Sequence, residues 1–232
     1  MKILIATPVA KTVEERYCHS LFGLCKYETA RGNDVDIQLQ RGPWIHKNRN
    51  DFVRGFLRGD WEYLLQLDMD IVFPCDLIER LLTHGKDIVF GMYGVLKPDG
   101  VKSSLYSLSL RGNGEYTSTG WFGDGLIEID AGGTGVCLAR RKVFEAFPDG
   151  NFPWFDFDPA GDGFLSEDIT FSRRAKAHGF TLYGDCNTEI GHIKDTFILN
   201  KLVGGHDGDT KEEDGRRNTS RKARRDKRGV GC

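Results

Sequence analysis

The stretch "LLQLDMDIVFP", residues 64 to 74, sets Asp68 and Asp70 two positions apart within one of the most apolar parts of a 232-residue chain. In an extended strand, residues i and i+2 share a face, so these carboxylates converge. Two ionised carboxylates held close repel, and one is pushed towards its neutral form unless a cation lies between them. Hard divalent ions such as Mg²⁺ and Mn²⁺ bind through one or two carboxylates plus substrate phosphate oxygens, so a metal–diphosphate site would satisfy both acids. The alternative is a pair of acids that caps the following turn. Spacing does not decide between them, because it recurs at Asp34/Asp36, Asp156/Asp158 and Asp207/Asp209. Only Asp68 and Asp70 follow an apolar strand, "YLLQL", at its C-terminal end, the edge at which open α/β sheets bind ligands.

Other residues with chemistry to offer lie on both sides. Arg49 is placed in the first turn of a helix, where a cation opposes the macrodipole unless an anion shares the position. A phosphate is one such anion. The pair Glu167-Asp168 follows Ser166, an arrangement that serves equally as an N-cap with acids in the first turn and as a source of a general base. His192, in "TEIGHIKD", follows a strand and has the donor type to stand beside two carboxylates on Mn²⁺, although a lone histidine is more often structural. Gly132 and Gly133 allow a close backbone approach, by a ligand or within a turn. Lys97, in "GVLKPDG", is either a phosphate contact or a solvated lysine.

These residues must be held by an alternation of strands and helices. "KILIATP" reads as a buried strand and residues 13 to 30 as a helix with Tyr17, Leu21, Leu24 and Tyr27 on one face. "DVDIQLQ" alternates as a strand; a helix is expected over 48 to 58, a strand over 62 to 67, a helix over 75 to 84 and a strand over 87 to 91. Such alternation predicts a parallel sheet covered by helices, an α/β fold of nucleotide-binding type. No GxGxxG follows the first strand and no GxxxxGK[ST] loop occurs, so phosphates must be held otherwise. After Gly91 come shorter β-like runs and glycine-rich turns, with helices over 141 to 147 and 166 to 178, which predicts a mixed or antiparallel extension. The aromatic segment "PDGNFPWFDFDPAGDGF" offers rings for stacking against sugars or bases, or for packing beneath a loop.

Composition bounds the rest. The chain is 39% hydrophobic and 28% charged, ordinary for an enzyme and unlike a disordered or membrane protein. No run reaches the ~18 apolar residues of a membrane span, and the N-terminal apolar run stops at Thr7-Pro8, short of a secretory leader. Six cysteines without CxxC spacing point to a reducing, cytoplasmic setting. Residues 211 to 232 hold nine Lys/Arg against four Asp/Glu, leaving the body with 23 basic against 30 acidic residues. Residues 201 to 232 are therefore expected to be a flexible basic tail, either merely solubilising or attractive to an anionic partner such as nucleic acid or a membrane surface.

The runs "NRNDFVRGFLRGDWEYLLQLDMDIVF", "GMYGVLK", "AGGTGVCLARRKVFE" and "FLSEDITFSRRAKAHGF" together resemble the nucleotide-sugar glycosyltransferases of GT-A fold, in particular the family-2-like group. The resemblance spans residues 1 to about 193. It implies a GT-A domain over 1–200, with a nucleotide-binding half at 1–91 and an acceptor-binding half at 92–200. It implies metal-dependent transfer of a sugar from a nucleotide diphosphate-sugar donor to a hydroxyl acceptor, with inversion. Asp68, Asp70 and His192 match the metal ligands (Mn²⁺ or Mg²⁺), and Thr7, Pro8, Arg49, Asp68, Lys97, Gly132 and Gly133 the nucleotide-sugar contacts. Asp168 matches the general base, with Glu167 its fallback or an acceptor contact. Two other readings of the residues are a nucleotidyltransferase acting on sugar phosphates, for which "ATPVAKTVEERY" lacks a basic glycine-rich loop, and a non-catalytic carbohydrate- or nucleic-acid-binding module.

Overall fold

The computed structural model describes residues 1–10, 12–108, 115–120, 124–160, 163–194 and 197–199. The expected tail at 201–232, with the Asp207/Asp209 pair, and Lys11 lie outside the described residues. The first apolar run forms β1 (Lys2–Val9), buried from Ile3 onwards. Tyr17, Leu21 and Leu24, at helical spacing, bury one face of α1 (Glu15–Ala30). The helix ends at Arg31, and Gly32, at φ 78°, turns the chain into β2 (Asp34–Arg41). Then follow α2 (Ile45–Arg58), β3 (Tyr63–Leu67), the short β4 (Ile71–Val72), α3 (Leu77–Thr83) and β5 (Ile88–Gly91). Here the α2 boundary departs from the sequence expectation. The helix begins at Ile45, so Arg49 stands one turn in rather than in the first turn.

Beyond Gly91 the strands shorten as expected. A hairpin of β6 (Gly94–Lys97) and β7 (Gly100–Ser103) leads to β8 (Leu105–Leu108), β9 (Tyr116–Ser118), β10 (Leu126–Ile129), β11 (Ala131–Gly132) and β12 (Val136–Arg140). The remainder is α4 (Arg141–Glu145), a second hairpin of β13 (Pro159–Ala160) and β14 (Gly163–Phe164), α5 (Glu167–Ala177), β15 (Leu182–Asp185), β16 (Gly191–Ile193) and β17 (Phe197–Leu199).

Seven strands form the central sheet in the order β10-β15-β5-β12-β3-β1-β2. β1 runs parallel to both neighbours, β2 and β3. The chain steps to one side of β1 for β2 and back across it for β3. Because such crossovers are right-handed, the reversal sends α1 and α2 to opposite faces of the sheet. The cores agree. Ile3, Ile5, Leu65 and Val89 pack with Tyr17, Leu21 and Leu24 of α1 and Leu77, Ile78 and Leu81 of α3. On the other face, Leu4, Ala6, Leu64 and Phe90 pack with Phe52, Val53 and Phe56 of α2, Phe144 of α4 and Phe171 of α5. Each fully buried Phe or Leu contributes about 1.5–3 kcal/mol to this three-layer body.

β12, from the second half of the sequence, lies antiparallel between β3 and β5, pairing Val136 with Leu67 and Cys137 with Phe90. The division at Gly91 is therefore one of sequence pattern and not of the sheet. This insertion, together with a small sheet that sets β16 beside β4, brings distant segments to the C-terminal edge of β3.

Candidate functional site

Asp68 lies one residue beyond β3, where the carbonyl of Gly135 accepts its amide at 3.0 Å. Its side chain is aimed at Arg49, whose Nη2 donates to Oδ1 at 2.8 Å. Arg49 is 1% exposed, held from α2 over the end of the sheet. Its Nη1 donates to Oε1 of Gln66 at 2.8 Å and reaches the carbonyl of Thr134 at 3.5 Å, while Nε lies 3.5 Å from Oε1 of Glu167. One guanidinium thus joins the acid after β3 to the acid that opens α5. The anion opposite Arg49 is the protein's own carboxylates, because a buried cation must be paired where it is buried. Burial opposes its charge, but Asp68, Glu167 and Asp168 outweigh that and hold its pKa above the ordinary value.

Glu167 is buried, and the loss of water raises its pKa despite Arg49, with the negative charges of Asp168 and Asp68 adding to the rise. Asp168 is half-buried and differently placed. Its Oδ1 accepts the Ser166 hydroxyl and, at 2.8 Å, the amide of Ile169. Ser166 does occupy the N-cap position, yet its hydroxyl serves Asp168 and not the helix amides. Both hydrogen bonds fix its orientation, leaving Oδ2 as the oxygen without either bond.

Asp70 faces the other way, towards β16. Its Oδ2 lies 3.3 Å from Nε2 of His192 and accepts Nζ of Lys194 at 2.6 Å, and its carbonyl accepts the Ile193 amide at 2.7 Å. Burial works against its charge, but the hydrogen bonds from His192 and Lys194 prevail and lower its pKa. His192 is 6% exposed, and its Nδ1 meets the carbonyl of Gly94 at 2.7 Å. A carbonyl can only accept, so Nδ1 donates a proton to it, and Nε2 is the ring nitrogen that faces Asp70. Among the described residues no group of three or more His, Cys, Asp or Glu side chains is poised to hold an ion. Of the expected set, Asp70 and His192 touch, whereas Asp68 is engaged by Arg49.

The remaining candidates divide. Pro8 lines a cleft of about 190 Å³ with Val9, Gly42, Pro43, Asn48 and both aspartates, at the C-terminal ends of β1, β2 and β3 beside the reversal of strand order. Thr7 is fully buried, bonded to the Tyr17 hydroxyl, so its side chain supports the strand from within. Lys97 stands exposed at the turn between β6 and β7. At Gly132 and Gly133 the packing leaves no room for a side chain: an added Cβ would lie 2.5 Å from the Phe90 ring and 2.5 Å from Oη of Tyr93, respectively. Asp158, in one of the other Asp-x-Asp triplets, is engaged by Arg173 and Arg174.

Several contributors escaped the sequence reading. Gln66, the one polar residue of "YLLQL", is 1% exposed and binds Arg49. A buried amide in an apolar strand was the available signal. Tyr93, whose hydroxyl takes the Gly135 amide at 3.3 Å, is near enough to feel both Asp68 and Asp168. Burial and these acids raise its pKa well above the ordinary value. Asn50 bonds the carbonyl of Phe155 at 2.6 Å and anchors the aromatic loop. Around Arg49, its own Nε, Nε2 of Gln66 and Oγ1 of Thr134 are buried without a hydrogen-bond partner. Such groups are uncommon in protein interiors.

No protein-family model matches the chain, and no curated protein matches it. Among solved structures, the chain is similar to the crystal structure of A197 from STIV, with a TM-score of 0.54 and 19% identity over 91% of this chain and 99% of that one. At this identity the likeness is one of fold: a mixed α/β sheet flanked by helices.

Proposed function

We propose that the protein is a GT-A-type glycosyltransferase, moving a sugar from a nucleotide diphosphate donor to a hydroxyl acceptor with inversion. The observation that carries this reading is the Asp68–Arg49–Glu167 bridge, which couples the acid after β3 to the acid pair opening α5. Phosphate binding alone would not require a second acidic element at the same edge of the sheet. A displacement at a sugar carbon does, since the incoming hydroxyl needs a base.

The cleft lined by Pro8, Val9, Gly42, Pro43, Asn48 and Asp68 would take the nucleoside. Asp70 and His192 would hold a divalent cation, Mn²⁺ or Mg²⁺, through carboxylate and imidazole donors, with Asp68, which Arg49 engages, as the third member of the expected set. Such a cation, when bound, neutralises charge on the departing diphosphate. Asp168, oriented through Oδ1, takes the acceptor proton on Oδ2. Glu167 sets the position of Arg49 and keeps water from it. Free thiols at Cys18, Cys25, Cys75, Cys137 and Cys186 accord with a cytoplasmic setting, and among the described residues no helix is long and apolar enough to cross a membrane. The basic segment 211–232 adds a weak attraction to anionic partners.

The test is release of nucleoside diphosphate from a panel of UDP- and GDP-sugars with Mn²⁺ or Mg²⁺. Wild type should turn over at least one donor, chelator should stop it, and Asp70→Ala should lower the rate by about 10²-fold or more. Turnover indifferent to chelator and to Asp70→Ala removes the reading.

A further inference from the structure

Beside the acid cleft the chain presents aromatic rings that neither the core nor the acids use. Trp44 is the residue immediately before α2 and is 62% exposed, and its neighbours Gly42, Pro43 and Ile45 line the cleft. Its indole meets the His46 ring at 6.2 Å, and His46 stands edge-on to Phe152 at 5.0 Å and to Phe157 at 5.2 Å. Phe157 is 42% exposed. The four rings therefore form one patch, continuous with the cleft and open at Trp44 and Phe157.

The patch is built to keep its shape. Asn50 of α2 bonds the Phe155 carbonyl at 2.6 Å, and Arg174 of α5 bonds the carbonyls of Phe152 and Pro153 at 2.7 and 3.1 Å. The two helices that position Arg49 and Asp168 thus also fix the loop that carries the rings. Exposed aromatic rings cost apolar surface in water, and rings held rigid lose little entropy when they stack on a ligand.

We propose that Trp44 and Phe157 form an acceptor subsite that stacks the pyranose rings of a neutral oligosaccharide. A pyranose offers an apolar C–H face to an aromatic ring and a polar rim to neighbouring carboxylates, of which Asp156 stands partly exposed on the same loop. The charge around the patch favours this occupant over a nucleic acid strand. Lys47 and Arg54 are paired with Asp51 at 2.6 and 3.1 Å, and Arg173 and Arg174 are paired with Asp158. A phosphodiester backbone would have to break these pairs, whereas an uncharged sugar need not. The proposal rests on the glycosyltransferase reading for the word acceptor, but the sugar contact can be tested without turnover.

The experiment titrates the full chain, without donor, with cellohexaose, chitohexaose and maltohexaose, and separately with UDP and GDP in the presence of Mn²⁺ and with a short single-stranded RNA, by calorimetry. At least one hexasaccharide should bind. Trp44→Ala and Phe157→Ala should each weaken it about tenfold, equivalent to about 1.4 kcal/mol, while Trp44→Phe retains most of the affinity. Nucleotide affinity should change less than about twofold in all three variants. Loss of nucleotide binding in Trp44→Ala with saccharide binding unchanged would make the patch a donor-base platform and overturn the proposal. So would RNA binding in place of saccharide, or no binding of any hexasaccharide. Nucleotide bound without saccharide leaves the enzyme reading standing and removes the subsite; saccharide bound without any nucleotide does the reverse.

Discussion

Arg49 decides how the acids coexist. Its removal leaves Glu167, with a side chain 10% exposed, and Asp68, 28% exposed, facing each other without a cation. Breaking a buried pair by removing one partner costs about 3–5 kcal/mol. Partial exposure of Asp68 places Arg49→Met near the lower end, about 3 kcal/mol in a urea titration. An unchanged midpoint would show that the bridge holds nothing. Glu167 carries its own pH signature. Its folded pKa is raised above the unfolded value, so it contributes stability below the unfolded pKa of about 4.5, and that contribution is lost as pH rises through the folded pKa. Glu167→Gln removes the cost of the buried charge, so the variant should be at least as stable as wild type at pH 7 and should lose that advantage on acidification towards pH 4.5. The reverse trend excludes burial as the dominant influence on this carboxyl. Asp68 and Asp70 were legible in sequence because i and i+2 are local. The partners of Arg49 were not, since the chain between 49 and 167 contains most of the sheet.

Among the elements, β12 has the largest effect on the site, because its pairing with β3 puts Gly135 against Asp68 and its approach passes under Phe90 and Tyr93. The alternation of the first 91 residues made the parallel strands and their helices readable, since each unit is local and its apolar spacing repeats. An antiparallel strand inserted from the second half depends on contacts between distant segments, and no local period records them. The same limit applies to Gly132 and Gly133, whose close packing against Phe90 and Tyr93 no local pattern records. An added methyl at Gly132 would lie 2.5 Å from the Phe90 ring, and the ring is fully buried. Overpacking of this kind costs about 1–3 kcal/mol. Gly132→Ala should therefore lower the thermal midpoint while leaving nucleotide affinity nearly unchanged. A variant as stable as wild type with lost nucleotide affinity would return these glycines to the ligand. Asn50→Ala should act on the loop and not on the sheet, speeding hydrogen exchange at 152 to 157 with protection in β1 and β3 retained.

Across the whole chain, charge is distributed unevenly: 23 basic against 30 acidic residues up to position 210, and nine against four from Lys211 onwards. The body carries its acids in pairs with lysine and arginine at Asp51, Asp87 and Asp158 and at the site itself, so it has little positive charge to spend on a polyanion. Attraction to anionic surfaces must then come from the segment after residue 210. That attraction is electrostatic and screened over about 10 Å at 0.1 M salt, so it should weaken steeply as salt rises. The full chain should be retained on a heparin column at low salt, and deletion of 211–232 should abolish retention because the remaining body repels the matrix. Diphosphate release with a small acceptor should be equal in the two forms, since every residue of the acid cleft lies before position 195. Equal retention would place the anionic contact on the body, and lost turnover would tie the segment to the chemistry. Either result would require a cationic surface or an active-site contact that the ion pairs around Asp51, Asp158 and Asp68 give no reason to expect.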